Sequence, residues 1–151
     1  MGNLNLIQFI NLQNQKLYET AAIEAEEHLV SELHMHKILY ILYGGFYAKF
    51  KKELFSANFE AWKLGPVEID YRQAYKSGQN IEALNKFEID VSSEELKFLE
   101  QVARKTLCFS PWSLVEFTHN SDAWYDNYKS TSHNPIPVNE IKKSFENSRF
   151  S

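Results

Sequence analysis

The sequence predicts a mainly α, single-domain fold around one central apolar helix (about residues 31–50), with a short β-hairpin or extended element near residues 54–64. Three observations carry this expectation. Residues 31–50 are apolar on almost every helical face, helix-start signals recur at Ser31, Ser92 and Ser110, and the period-two alternation around Phe59 is short.

Taken in order, residues from about Leu4 to His28 hold apolar positions at helical spacing, including Tyr18, Ala22, Ala25 and Leu29, while Glu24, Glu26 and Glu27 keep one face wet. This N-terminal helical segment, 1–30, is expected to join one globular unit spanning 31–147, with 148–151 as a tail. Ser31 is a good N-cap for the next helix. Met35, Leu39, Leu42, Phe46 and Phe50 form one stripe on it, and Ile38, Tyr40, Ile41, Tyr43 and Tyr47 cover most of the rest. A helix apolar nearly all round belongs in the middle of a core. Gly44 and Gly45 each cost about 1 kcal/mol against Ala there, which predicts close approach of another backbone.

Phe59 and Ala61 alternate with Glu60, Trp62 and Leu64, a strand-like pattern that Gly65-Pro66 is expected to stop before a helix over about 67–75. Ser92 with Glu95 is a capping box, opening a helix with Leu96, Leu99, Ala103 and Leu107 on one face. Ser110-Pro111 opens another, carrying Leu114, Phe117 and Thr118. His119-Asn120-Ser121-Asp122 breaks or re-caps the chain before Trp124, Tyr125 and Tyr128. Pro135-Ile136-Pro137 gives a stiff entry to a last helix that buries Val138, Ile141 and Phe145.

Composition narrows the function. The 151 residues carry a net charge of -4, without the basic excess that drives general nucleic-acid binding. A single cysteine, Cys108, excludes an intrachain disulfide and a Cys-based zinc site, and between Leu107 and Phe109 it reads as a buried, inert thiol. The longest strongly apolar stretch, Ile38 to Ala48, falls well short of the ~20 residues of a membrane span, and no targeting pattern opens the sequence. No membrane partner and a cytoplasmic location are expected.

The five histidines invite a metal reading. His34 and His36, two apart on a helix, point about 200° away from each other and cannot share an ion on one face. His119 and His133 would converge only through the fold. The plainer reading is surface histidines, with His119 hydrogen-bonded in the core. No nucleophile elbow, P-loop or dinucleotide fingerprint is present. No catalytic residue, metal or cofactor is therefore expected. The unusual feature is aromatic content, three Trp, eight Tyr and eleven Phe, more than a domain of this size buries. Rings left outside favour a protein-binding face.

The stretch Leu33-His34-Met35-His36-Lys37-Ile38-Leu39-Tyr40 resembles the opening of the SocA-like, or Panacea, antitoxin domain. Gly44-Gly45-Phe46-Tyr47-Ala48, Leu54-Phe55 and then Phe59-Glu60-Ala61-Trp62-Lys63-Leu64-Gly65-Pro66-Val67 follow in the family's order. The last run is the most specific, resembling its "Phe-x-Ala-Trp-x-x-Gly-Pro-Val". Ser113 to His119 followed by Trp124, and Pro135 to Phe145, are similar to its later elements, so the likeness covers about 31–147. His34 and His36 depart from it, standing where the family usually has Lys and Gln.

The resemblance implies a non-enzymatic prophage or mobile-element protein of a toxin–antitoxin system. It would neutralise a cognate toxin by direct protein–protein binding, by occlusion or by delivery for proteolysis. An alternative is a mobile-element protein of the same fold that binds or inhibits a host protein; a metal-dependent hydrolase or nuclease using His119 and His133 is the reading from another class. The motif residues Lys37, Tyr40, Phe59, Trp62, Gly65, Pro66, Thr118, His119 and Trp124 are expected to be structural, with Trp62 and Trp124 as core plates, Gly65-Pro66 as a turn, and Thr118 and His119 as a buried polar pair. Partner contacts are expected at Tyr18, Glu24, Glu26, Glu27 and Tyr125, where acidic groups near aromatic anchors suit a basic surface. The aromatic excess is also compatible with a homodimer.

Overall fold

Asn5 decides how the chain begins in this computed structural model, which describes residues 2–20 and 30–146. Its side chain accepts from the Gln8 amide at 3.0 Å and caps helix α1 (Leu6–Glu19). The residues before it form strand β1 (Gly2–Asn5), antiparallel to strand β4 (Glu88–Val91), with Leu4 opposite Ile89. Leu4 is thus in a strand and not in the first helix, which also closes sooner than expected, at Glu19. Asn5-x-x-Gln8 has the form of a helix-start signature, so the cap was legible. The strand was not, because its partner lies more than 80 residues away. Ala22, Glu24, Ala25, Glu26, Glu27 and Leu29 lie outside the described residues.

Helix α2 (Glu32–Phe50) starts at Ser31, whose hydroxyl accepts from the His34 amide, and every residue from Met35 to Phe46 is buried. It packs against helices α4 (Ser93–Leu107), α5 (Pro111–His119) and α7 (Val138–Glu146) and against strand β3 (Gly65–Glu68). An element enclosed on all sides has no polar face to offer water, which is why its sequence shows none. Ser92 and Glu95 form the expected capping box on α4, and Ser110 caps α5 with Pro111 at its first position. Helix α1 lies on α4, where Arg104 donates to buried Gln13 at 2.8 Å.

Gly65-Pro66 does not stop the β element; it opens its second strand. Strand β2 (Phe59–Trp62) turns through Lys63 and Leu64 into β3, pairing Phe59 with Glu68 and Trp62 with Gly65. Pro66 is tolerated because β3 is an edge strand: the sheet order is β3-β2-β5, with β5 (Asn134–Pro135) on the far side of β2. Helix α3 (Ile69–Ser77) follows, two residues later than expected, because Glu68 rather than Pro66 provides its cap. Helix α6 (Asp122–Asn127) lies between α5 and β5 in sequence and packs on α7.

The close approach expected at the glycine pair is to an aromatic ring, not to a backbone. A Cβ on Gly44 would sit 2.0 Å from the Phe145 ring of α7. Gly44→Ala should destabilise the fold by about 1–3 kcal/mol through overpacking, read by urea denaturation. The cost should shrink when Phe145→Ala is added, since the two changes share one space.

Candidate functional site

The turn of the β2–β3 hairpin is held by side chains from three helices. Lys37 of α2 donates to the Pro66 carbonyl at 2.9 Å, His119 of α5 through Nε2 to the Lys63 carbonyl at 3.0 Å, and Trp124 of α6 through its indole to the Trp62 carbonyl at 2.8 Å. Each bond ties a helix side chain to a backbone carbonyl of the hairpin. Gly65, at φ +111°, is in a backbone region that side-chain-bearing residues rarely adopt. A Cβ there would also lie 2.7 Å from Thr118 Oγ1 and 3.0 Å from Lys37 Cε. Thr118 itself is buried and bonds the Val115 carbonyl.

Seven of the motif residues therefore meet at one turn: Lys37, Trp62, Gly65, Pro66, Thr118, His119 and Trp124. Tyr40 and Phe59 stand beside them, edge to face at 5.2 Å between ring centroids. The Tyr40 hydroxyl bonds Ser121 Oγ at 2.6 Å, which reaches Ser144 Oγ at 3.1 Å, and burial holds its pKa well above the usual phenol range.

Under this turn sits a group of charges. Lys37 is fully buried, and burial lowers its pKa from 10.5 to about 7, with Glu32 opposing the shift. His36 is buried as well, against the expectation of surface histidines. Its Nδ1 accepts from the Glu68 amide at 3.1 Å, so Nε2 carries the hydrogen and donates to Glu32 at 2.9 Å. Burial takes its pKa down to about 4, so the ring is neutral at pH 7. Burial pushes the Glu32 carboxyl up, but Arg72 of α3, whose Nη1 donates to both of its oxygens at 2.6 and 2.8 Å, and His36 together hold it below the usual carboxylate range. Buried Glu68 accepts from the Asn58 and Tyr71 amides and from Lys86; desolvation outweighs these partners and raises its pKa. Lys86 also reaches Asp70.

Trp62 is half-buried rather than a core plate. It stacks on His133 at 3.8 Å, with the Arg72 guanidinium 5.7 Å from the indole. Trp124, by contrast, is buried between His119 and Tyr128, stacked on both. His119 is half-buried, so it forms no buried pair with Thr118. His34 donates to the Thr106 carbonyl of α4, away from His36, as two-residue helical spacing requires. Among the described residues each histidine thus has its own partner, and no three His, Cys, Asp or Glu side chains are grouped to hold a metal ion. Cys108 is exposed, contrary to expectation: Leu107 is the last inward residue of α4, and Cys108, about 100° further round, faces outward.

A cleft of about 380 Å³ lies against this cluster, lined by Leu33, Lys37, Trp62, Leu64, Val67 and Arg72 among others. A second cleft of about 560 Å³ lies between α5, α6 and α7, with Phe117, Asp122, Asp126, Glu140 and Lys143 in its lining. Phe117 is exposed because Leu114, Val115 and Thr118 take the inward side of α5. Of the expected contact residues, Tyr125 is 71% exposed on α6 and Tyr18 is exposed near the end of α1. Glu24, Glu26 and Glu27 lie outside the described residues. Trp112, 61% exposed, was not among those expected; it follows Pro111 in the first turn of α5. Its position one residue after a helix-opening proline was the available signal.

The chain falls in a known class of antitoxin-like domains. A family model described as "Antitoxin SocA-like, Panacea domain" matches residues 35–125, and the chain belongs to that family. The match begins within the first turn of α2, ends within α6 and stops short of α7. No curated protein matches the chain. No solved structure matches it either. No helix among the described residues is long and apolar enough to cross a membrane.

The Lys37 ammonium gives a pH signature. Below about pH 7 it is charged in the folded and unfolded states alike, and the native state bears the full desolvation cost. Between about 7 and 10.5 the unfolded chain binds more protons, so this group makes stability rise with pH. Lys37→Met removes that contribution. Urea denaturation at about pH 6, 7.5 and 9 should show the variant gaining on the parent as pH falls; a pH-independent difference would mean that the lysine is not a buried charge.

Proposed function

We propose that this chain is an antitoxin that neutralises a partner toxin by binding it directly, with no chemistry of its own. The observation that carries this reading is the exposure of Phe109, Trp112, Phe117 and Tyr125 within one short stretch, from the end of α4 to α6. Large rings are enriched at the centres of protein interfaces and supply much of their affinity. Glu116, Asp122 and Asp126 lie in the same stretch, and the whole chain carries -4, so a basic partner surface fits it. Tyr18 is a further exposed ring, followed in sequence by Glu24, Glu26 and Glu27, which would steer the encounter.

Neutralisation then follows by occlusion of the toxin or by its delivery to a protease, two routes that the lifetime of the bound toxin separates. The test is to express the product of the neighbouring reading frame alone and together with this chain. Growth arrest by the neighbour alone, rescue by co-expression and co-elution of the two proteins are the expected results. Trp112→Ala and Tyr125→Ala should each weaken the complex by about tenfold or more, roughly 1.4 kcal/mol, with unfolding unchanged. Reversing Glu24, Glu26 and Glu27 to Lys should slow association and invert its salt dependence. A neighbour without toxicity, or a toxic one that forms no complex, would defeat the reading.

A further inference from the structure

We propose that the open cleft between α5, α6 and α7 receives an arginine side chain of the partner protein, laid on the Phe117 ring and held by Asp122 and Asp126. The proposal rests on the antitoxin reading for the existence of that partner, and adds which side chain docks and where. The cleft, about 560 Å³, has the size of a small-molecule pocket, so a long side chain enters it with room for its flanking backbone. It opens within the stretch that carries the exposed rings: Asp126 of its lining follows Tyr125 directly on α6.

Charge and hydrogen-bonding capacity select a cationic donor. Asp122 and Asp126 stand four apart on α6, which puts both carboxylates on one helix face, and both line the cleft. Glu140 lines it from α7, with its Oε1 accepting from Asn127 at 2.9 Å. Lys143 is the one cation in the lining among the described residues, so three carboxylates meet one ammonium. No lysine, arginine or histidine pairs with Asp122 or Asp126 among the described residues. Beneath them Tyr40, Ser121 and Ser144 form a run of hydroxyls, through bonds of 2.6 and 3.1 Å. A hydroxyl oxygen has two lone pairs, so this run keeps acceptor capacity where Ser121 and Ser144 line the cleft.

Phe117 decides between the two basic side chains. Its ring is exposed and forms part of the cleft wall, and a guanidinium lies flat on an aromatic face while its edge donates. Five donors in a fixed fork also suit two carboxylates side by side above a hydroxyl floor, whereas an ammonium offers three donors around a compact charge. The guanidinium is the more weakly hydrated of the two, so less hydration is lost when it enters a half-enclosed cleft. Arginine is moreover enriched where protein interfaces concentrate their affinity.

Three acetylated tripeptide amides, Leu-X-Leu with arginine, lysine or citrulline at X, test this on the whole chain by NMR titration. Citrulline keeps the shape of arginine and removes its charge. The arginine peptide should shift the amides of α6 and of the last turn of α7, and bind at least about tenfold more tightly than the citrulline peptide and about threefold more tightly than the lysine peptide. Asp122→Asn with Asp126→Asn, the fold checked by thermal unfolding, should abolish the preference over citrulline, and Phe117→Leu the preference over lysine. Citrulline or lysine binding as tightly as arginine, shifts confined to another face, or no arginine binding up to about 10 mM would overturn the assignment. Residues 147–151, outside the described residues, include Arg149 and Phe150; an arginine peptide that binds only after Arg149→Gln would make the chain's own C-terminal residues the occupant and overturn the assignment to a partner. The peptide comparison needs no variant, so it decides even if the double variant does not fold.

In the complex with the product of the neighbouring reading frame, the double variant should weaken binding by about tenfold or more. A complex that forms and is unchanged by the double variant overturns the arginine assignment and leaves the antitoxin reading standing. A neighbour that forms no complex defeats the antitoxin reading, and the peptide series still decides what the cleft binds.

Discussion

A two-residue turn held by three helices is the constraint on which the rest of this structure depends. The β2–β3 ribbon is only four residues long on each strand, and a hairpin of that size is marginal in water by itself. Here its turn carbonyls receive Lys37, His119 and Trp124 from α2, α5 and α6. Those bonds place three helices relative to a common point, and Gly65 lets Lys37 and Thr118 come close enough to do so. The β element is small, but it is the hub on which the helices are indexed.

The clamp brings an electrostatic problem with it, because the donor from α2 is an ammonium in the core. The surroundings limit the cost by neutralising nearly everything else. His36 is kept uncharged by burial, with the Glu68 amide on Nδ1 fixing where its hydrogen sits, and Glu32 is closed into a pair with Arg72. Glu68 meets two amides and Lys86. Buried charges that lose one partner destabilise strongly, so these residues form a unit in which single changes are felt together. Lys37 stands apart from it, with a backbone carbonyl as its one hydrogen-bond partner among the described residues.

Scaffold and candidate contact surface are separate in this chain. The motif residues cluster inside, at the turn, whereas Trp112, Phe117 and Tyr125 point outward from helices whose inner faces are already committed to α2 and α7. A family of domains built this way can keep its interior while the exposed positions of α5 and α6 vary. The exposed rings supply contact area without disturbing the clamp, because Leu114, Thr118 and Trp124 hold the same helices from within.

Local signals are what the sequence by itself determined. Caps at Ser31, Ser92 and Ser110, the proline at the start of α5 and the all-round apolar face of α2 each act within one or two turns of helix, so spacing alone locates them. The motif from Phe59 to Val67 also marked the hairpin, although Gly65-Pro66 read as an end when it is the start of an edge strand. Only the tertiary structure decided the pairing of β1 with β4, the burial of His36, the exposure of Cys108, and the meeting of Lys37, His119 and Trp124 at one turn. The physical reason is range. A cap or a periodic face reports interactions between residues three or four apart, whereas a hydrogen bond from Lys37 to Pro66 or from Trp124 to Trp62 spans 29 or 62 positions and leaves no mark on the residues between.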